Sequence, residues 1–312
     1  MAKNNNLTDF LTDIANAIRT KKGTTAKINP QNFSSEIASI STGGGDTPTP
    51  DTPTPDMPVI GDGKTYLYIK IAEKGRMVVP LYFSQTIANG VAIDWGDGSA
   101  TQTLSGTGNV NTTHKYAEIG EYTITLNPSS GCTLGLGHGS SAYCVMGSTG
   151  NNGRVYINML QAVEIGKNVT SISNSAFSHC YSLASVVIPN SVTSISNYAF
   201  SYCSPLASIV IPNSVTSIGI YAFSDCYSLA SVVIPSGVTS ISNYAFNNCY
   251  GMAYYDFRAS KSVPTLSKTN AFKNIPSDCK IVVPDDLYDT WIAATNWSTY
   301  ASYIVKASEF NG

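Results

Sequence analysis

Residues 169–260 read VTSISNSAFSHCYSLASVVIPNS (169–191), VTSISNYAFSYCSPLASIVIPNS (192–214), VTSIGIYAFSDCYSLASVVIPSG (215–237) and VTSISNYAFNNCYGMAYYDFRAS (238–260). One motif is written four times, and Cys180, Cys203, Cys226 and Cys249 mark its period of 23 residues. A short fixed period of this kind means one supersecondary unit per repeat, stacked on its neighbours into a solenoid. The positions held constant are apolar: Leu183, Val186, Ile188, Val192, Ile195, Phe200 and Cys203, with their equivalents. One coil alone buries too little to order its own backbone, so the coils must stack and share hydrogen bonds. Strand alternation turns Ser185 and Val187 outward, followed in register by Ser208 and Val210, then Ser231 and Val233.

The pattern extends past both ends of the four blocks. Leu160, Val163 and Ile165 align with Leu183, Val186 and Ile188 and predict an early partial coil. Asn270-Ala271-Phe272 and Ile281-Val282-Val283-Pro284 repeat the same features at stretched spacing, as an irregular last coil. The stretch from Asp285 to Ile304, with Leu287, Tyr288, Trp291, Trp297 and Tyr300, is expected to be a helical cap over the exposed end of the core. A binding role for the two tryptophans is the competing reading.

Composition narrows the function. Only 12% of the 312 residues are charged and the net charge is −2, so nothing forms the basic footprint that nucleic acid or an anionic membrane surface requires. No run of 18 apolar residues occurs, which excludes insertion as a membrane-spanning helix. The opening MAKNNNLTDF has no apolar core of a secretory signal. An odd total of seven cysteines, four of them at one repeated position, points to buried thiols rather than a disulfide framework.

Upstream of the repeats the chain changes character three times. In residues 1–42, Leu7, Phe10, Leu11, Ile14 and Ile18, then Phe33, Ile37 and Ile40, recur at helical spacing and predict two short helices. The string LTDIANAIRTKKGTTAKINPQNFSSEIASI resembles a segment common near the start of tail and baseplate-associated bacteriophage proteins. That resemblance implies attachment to a tail or baseplate protein, and the small apolar helices also invite homo-oligomer formation. Residues 43–58, GGGDTPTPDTPTPDMP, are a Thr-Pro linker whose extended geometry makes a spacer of roughly 35–40 Å. Residues 59–150 alternate apolar residues with Gly and Asp turns, predicting a β-sandwich that ends in a Gly/Ser-rich transition. There Asp94-Trp95-Gly96-Asp97-Gly98-Ser99, His114-Lys115-Tyr116 and Gly120-Glu121-Tyr122 resemble a PKD domain, an immunoglobulin-like module. The preceding MVVPLYFSQTIANG is more apolar than that family's pattern.

Residues 151–312 complete the chain as solenoid and cap. Within them, over about residues 160–284, the wording S-I-x-x-x-A-F-x-x-C followed by L-x-S-V-V-I-P-x-S-V resembles the BspA-like leucine-rich repeat. The fold class expected is therefore mainly β: a leucine-rich-repeat solenoid behind an immunoglobulin-like sandwich and a small helical segment. The resemblance implies adhesion or recognition at a cell or virion surface, without catalysis.

Catalytic and metal chemistry find little support in the residue pattern. His114 belongs to the sandwich motif. Cys132, His138 and Cys144 have a spacing that zinc could use, weighed against an ordinary loop, and neither a metal nor another cofactor is expected. Comparing the blocks locates the variable positions instead: Ser175/Tyr198/Tyr221/Tyr244, His179/Tyr202/Asp225/Asn248 and Tyr181/Ser204/Tyr227/Tyr250. Rigid amphipathic aromatics suit recognition of a host-surface glycan or protein. The expected contact residues are Tyr198, Tyr221, Tyr244, His179, Tyr202, Asp225 and Asn248, together with the break in pattern at Tyr254, Asp256 and Arg258. The expectation is a receptor-binding protein of a phage tail, placed on the virion. The alternatives are a bacterial cell-surface adhesin and, less favoured, a glycan-acting surface enzyme.

Overall fold

The structure, a computed structural model, describes residues 62–138, 143–148 and 158–310. The expected N-terminal helices and the Thr-Pro linker lie outside the described residues. The described residues from Gly63 onward belong to one compact unit.

The alternating stretch folds as β1 (Thr65–Ile71), β2 (Val78–Gln85), β3 (Val91–Asp94), β4 (Gly108–Lys115), β5 (Gly120–Pro128) and β6 (Leu134–Leu136). A small hairpin, β7 (Tyr143–Cys144) and β8 (Gly147–Ser148), then precedes β9 (Leu160–Glu164). Each coil adds two short strands: β10 (Val169–Ile172) and β11 (Ser185–Val187), β12 (Ser194–Ile195) and β13 (Ser208–Val210), β14 (Ser217–Ile218) and β15 (Ser231–Val233), β16 (Ser240–Ile241) and β17 (Tyr254–Asp256). The stretched coil supplies β18 (Thr265–Leu266) and β19 (Lys280–Val283), and β20 (Ile304–Lys306) follows the cap.

The sheets run across the expected boundary between sandwich and solenoid. β9 pairs antiparallel with β1 and parallel with β11. On the other side β6 pairs antiparallel with β2 and parallel with β10. The sheet orders are therefore β11-β9-β1-β5-β3 and β18-β16-β14-β12-β10-β6-β2-β4. A solenoid's first coil otherwise leaves two open strand edges, and here antiparallel strands pair with both. This also accounts for the apolar wording of β2: it lies between β4 and β6, and Val79, Leu81 and Phe83 are fully buried.

Inside the stack one aromatic repeats through five successive coils. Phe177, Phe200, Phe223, Phe246 and Phe272 stack ring on ring, with centroids 5.2–5.6 Å apart. All seven cysteines are free and buried. The thiols do more than fill space: Cys203, Cys226 and Cys249 donate to the carbonyls of Phe177, Phe200 and Phe223 in the preceding coil, at 3.2–3.3 Å.

The second ladder is interrupted once. β13 begins a separate sheet, β13-β15-β17-β19-β20, instead of pairing with β11. Ser228 donates its N–H to Ser204 O at 3.1 Å, but the residue at the equivalent place one coil earlier is Pro205, which has no N–H to give.

The cap differs from the single helical region expected. It consists of 3₁₀ turns at Asp285–Leu287 and Ser298–Tyr300 around α1 (Tyr288–Ala293), and then returns to strand as β20. Trp291 and Trp297 are buried, and Trp297 Nε1 donates to Pro264 O at 2.7 Å. They close the core and are not surface groups.

Candidate recognition surface

Between its two strands each coil turns through the sequence that carries the variable columns. The residues of two columns adopt left-handed backbone: Ser175, Tyr198, Tyr221 and Tyr244 at φ 55 to 59°, and His179, Tyr202, Asp225 and Asn248 at 59 to 63°. Bulky side chains rarely adopt this region, which costs a residue with a Cβ about 1–2 kcal/mol. The conformation is held by hydrogen bonds to the next coil, including Tyr198 N to Ile220 O and Tyr202 N to Ser224 O, both 2.8 Å. Asn and Asp suit such positions, and a tyrosine there three coils in succession does not follow from backbone preference.

The side chains form rows along the stack. In the first, Tyr198 stacks on Tyr221 (centroids 5.1 Å, interplanar 11°) and Tyr221 on Tyr244 (4.7 Å, 9°). In the second, His179 stacks on Tyr202 at 4.6 Å, and the row then turns polar. Asn248 Nδ2 donates to Asp225 Oδ1 at 2.7 Å, and Asn274 Nδ2 donates to Asn248 Oδ1 at 2.8 Å. Asp225 is buried and also accepts from Ser224 Oγ and Tyr227 OH. In the third row Tyr227 stacks on Tyr250 at 5.6 Å, and Tyr250 OH donates to Asn248 Oδ1. Burial, then the charge of Asp225, pushes the Tyr227 phenol up to about 12. Burial, then the neighbouring Tyr244, also raises that of Tyr221, so both remain hydroxyl donors.

The structure brings together Tyr198, Tyr221, Tyr244, His179, Tyr202, Asp225 and Asn248 on the turn face. Tyr254, Asp256 and Arg258 stand apart from it, on the second ladder. Tyr254 lies in register with Ser231, is half-buried, and packs against Phe310 at 5.1 Å. Asp256 is buried and held by Arg258, whose Nε and Nη2 donate to its carboxylate at 2.7–3.0 Å. That hydrogen bonding raises the Arg258 pKa further. Tyr255, between them, points inward and is fully buried. The sequence reading did not include Asn274 and Lys273, which extend the turn face into the stretched coil. The irregular 26-residue step from Asn248 to Asn274 hides that alignment.

Elsewhere the sandwich motif packs as a unit. His114 stacks on Trp95 at 4.7 Å and its Nε2 meets Asp97 Oδ2 at 2.7 Å, while Tyr116 OH donates to Trp95 O. Burial alone would raise the Asp97 pKa, but hydrogen bonds from Ser99 and His114 outweigh it and bring it down to about 2. His138 meets Val110 O through Nε2 at 3.0 Å, and Cys132 and Cys144 donate separately to Thr133 O and Gly147 O.

These coils have known counterparts. Residues 155–285 match the BspA type Leucine rich repeat region, in six copies. Among solved structures, a leucine rich repeat protein of T. pallidum, TpLRR, is 28% identical over 43% of this chain and 69% of its own, with a TM-score of 0.34. The pneumococcal vaccine antigen PcpA is 19% identical, covering 48% of this chain and 35% of its own, with a TM-score of 0.38. A leucine rich cell surface protein from Faecalibacterium prausnitzii is 20% identical, covering 49% and 61%, with a TM-score of 0.27. No curated protein matches the chain. Among the described residues no helix is long and apolar enough to cross a membrane.

Proposed function

We propose that this chain is a non-enzymatic surface-recognition protein whose BspA type repeats present the tyrosine turn face to a partner on a bacterial surface. The observation that carries the reading is the backbone of Tyr198, Tyr221 and Tyr244: a glycine or asparagine would suit φ 55 to 59° better, yet three consecutive coils keep a ring there. Such rings bring contact area at low entropy cost. Within this reading the chain is the receptor-binding component of a phage tail. The N-terminal helices engage a tail or baseplate protein, the Thr-Pro linker sets the reach, and the PKD-like sandwich serves as the base of the solenoid. The wording of residues 11–40 favours this over a bacterial cell-surface adhesin.

The test is attachment of purified full-length chain to a panel of bacterial cells, with and without Tyr198, Tyr221 and Tyr244 all changed to asparagine. Loss of attachment in the folded triple variant supports the reading, and undiminished attachment defeats it. Side-chain variants are preferable to truncation, because removing the coils would strip β1 of β9 and β6 of β10. Immunogold labelling of purified tail particles against cell envelopes separates the two origins.

A further inference from the structure

We propose that the turn face binds a neutral polysaccharide lying along the stack, with Tyr198 as its terminal stacking platform and the amides of Asn248 and Asn274 reading hydroxyl groups farther on. The inference rests on the recognition reading above and names its ligand class.

The two ends of the tyrosine row differ. Tyr244 is occupied at its end, with the Lys273 ammonium 5.9 Å from its ring centroid and Asn270 Nδ2 donating to its hydroxyl at 3.1 Å. Among the described residues Tyr198 stacks only on Tyr221, its column continues in the neighbouring coil as a buried serine, Ser175, and it is 39% exposed. A saccharide ring offers an apolar C–H face to such a ring and hydroxyls at its rim.

Charge selects among the polymers a surface can present. Among the described residues, the ionisable groups of the first two rows, phenols aside, are His179 and Asp225, with Lys273 over the Tyr244 ring. Asp225 is 5% exposed, with donors from Ser224, Tyr227 and Asn248 already on its carboxylate. Among the described residues that leaves no cluster of cations in these rows for a sulfated, phosphorylated or carboxylated polymer. Protein partners are usually gripped by a few anchors set in central pockets. Here tyrosine rings recur instead at 4.7–5.6 Å from coil to coil, an arrangement that suits a partner which itself repeats.

The experiment uses the full chain against immobilised dextran, mannan, galactan and β-glucan, with heparin and polygalacturonate as anionic controls. Cells treated with periodate or with protease are tested in parallel. The expected result is binding to at least one neutral polymer that is insensitive to salt, and about tenfold weaker binding by Tyr198→Asn, a change the turn backbone tolerates. Asn274→Ala, at an exposed position, provides a second variant with the same expectation. Attachment to cells that survives protease, is lost on periodate treatment and falls in Tyr198→Asn also supports the proposal. Binding confined to the anionic polymers overturns it, as does attachment that protease removes and periodate spares; in both cases the broader recognition reading survives. Failure to bind any polymer or any cell overturns both.

Discussion

Replacing Tyr198 by asparagine removes a ring from φ 59° and leaves a residue that tolerates that conformation. The same change at Tyr221, φ 55°, gives the same backbone relief, which therefore cancels in the comparison. What differs is stacking. Tyr198 loses one partner at 5.1 Å, whereas Tyr221 loses two, at 5.1 and 4.7 Å, and is the more buried ring. A stacked aromatic pair contributes about 0.5–1.5 kcal/mol beyond its buried area. Tyr198→Asn is therefore expected to change stability by no more than about 1 kcal/mol, its lost stack being offset by relief of about 1 kcal/mol. Tyr221→Asn is expected to cost about 1–2 kcal/mol more. Guanidinium unfolding followed by far-UV circular dichroism measures both, provided the slopes agree between variants, because a solenoid can lose two-state behaviour. Equal costs at the two sites, or a loss of about 3 kcal/mol at Tyr198, would mean that the turn itself needs the ring and would refute the argument from strain.

The cysteine column makes a second prediction: titration in denaturant without reductant finds seven thiols, and titration of the native protein at mildly alkaline pH finds almost none, because burial pushes the Cys203, Cys226 and Cys249 thiols up. Since Cys226 donates to Phe200 O, Cys226→Ser should be milder than Cys226→Ala, which opens a void costing about 1–2 kcal/mol; the reverse order in unfolding midpoints would demote the thiol to a spacer. Ahead of the coils, the Asp97 carboxylate has a pKa brought down to about 2, so its contribution is fully present above the unfolded value near 4 and is lost as pH falls toward about 2. Allowing for solvent near the pair, that contribution is about 1 kcal/mol, and Asp97→Asn should flatten the acid limb of stability against pH by that amount. Arg258→Ala leaves the Asp256 carboxylate, its side chain only 10% exposed, without its guanidinium and should cost about 1–2 kcal/mol. Adding Asp256→Val, the residue type of Val187, Val210 and Val233, should recover most of that loss, and failure to recover it would show that the pair itself is needed.

The repeat, its period and the inward set of Leu183, Val186, Ile188, Phe200 and Cys203 were legible in the chain because stacking demands the same apolar residue in every coil, and repetition writes that demand out. The same comparison of blocks picked out the outward columns, because positions free of the core can drift. Three things needed the tertiary structure. The sharing of β9 and β6 between the antiparallel strands and the solenoid depends on strand pairings between residues far apart in sequence, such as Leu67 with Val163, and such pairings leave no local mark. The left-handed backbone of the tyrosine turns is imposed by hydrogen bonds to the next coil against the preference of the residue that carries it. The separation of Tyr254, Asp256 and Arg258 from the turn face follows from which strand they occupy, although they lie only a few residues beyond Tyr250. Sequence periodicity shows which residues are equivalent; which of those equivalents meet on one face, and at what strain, is decided by the hydrogen bonds that stack one coil on the next.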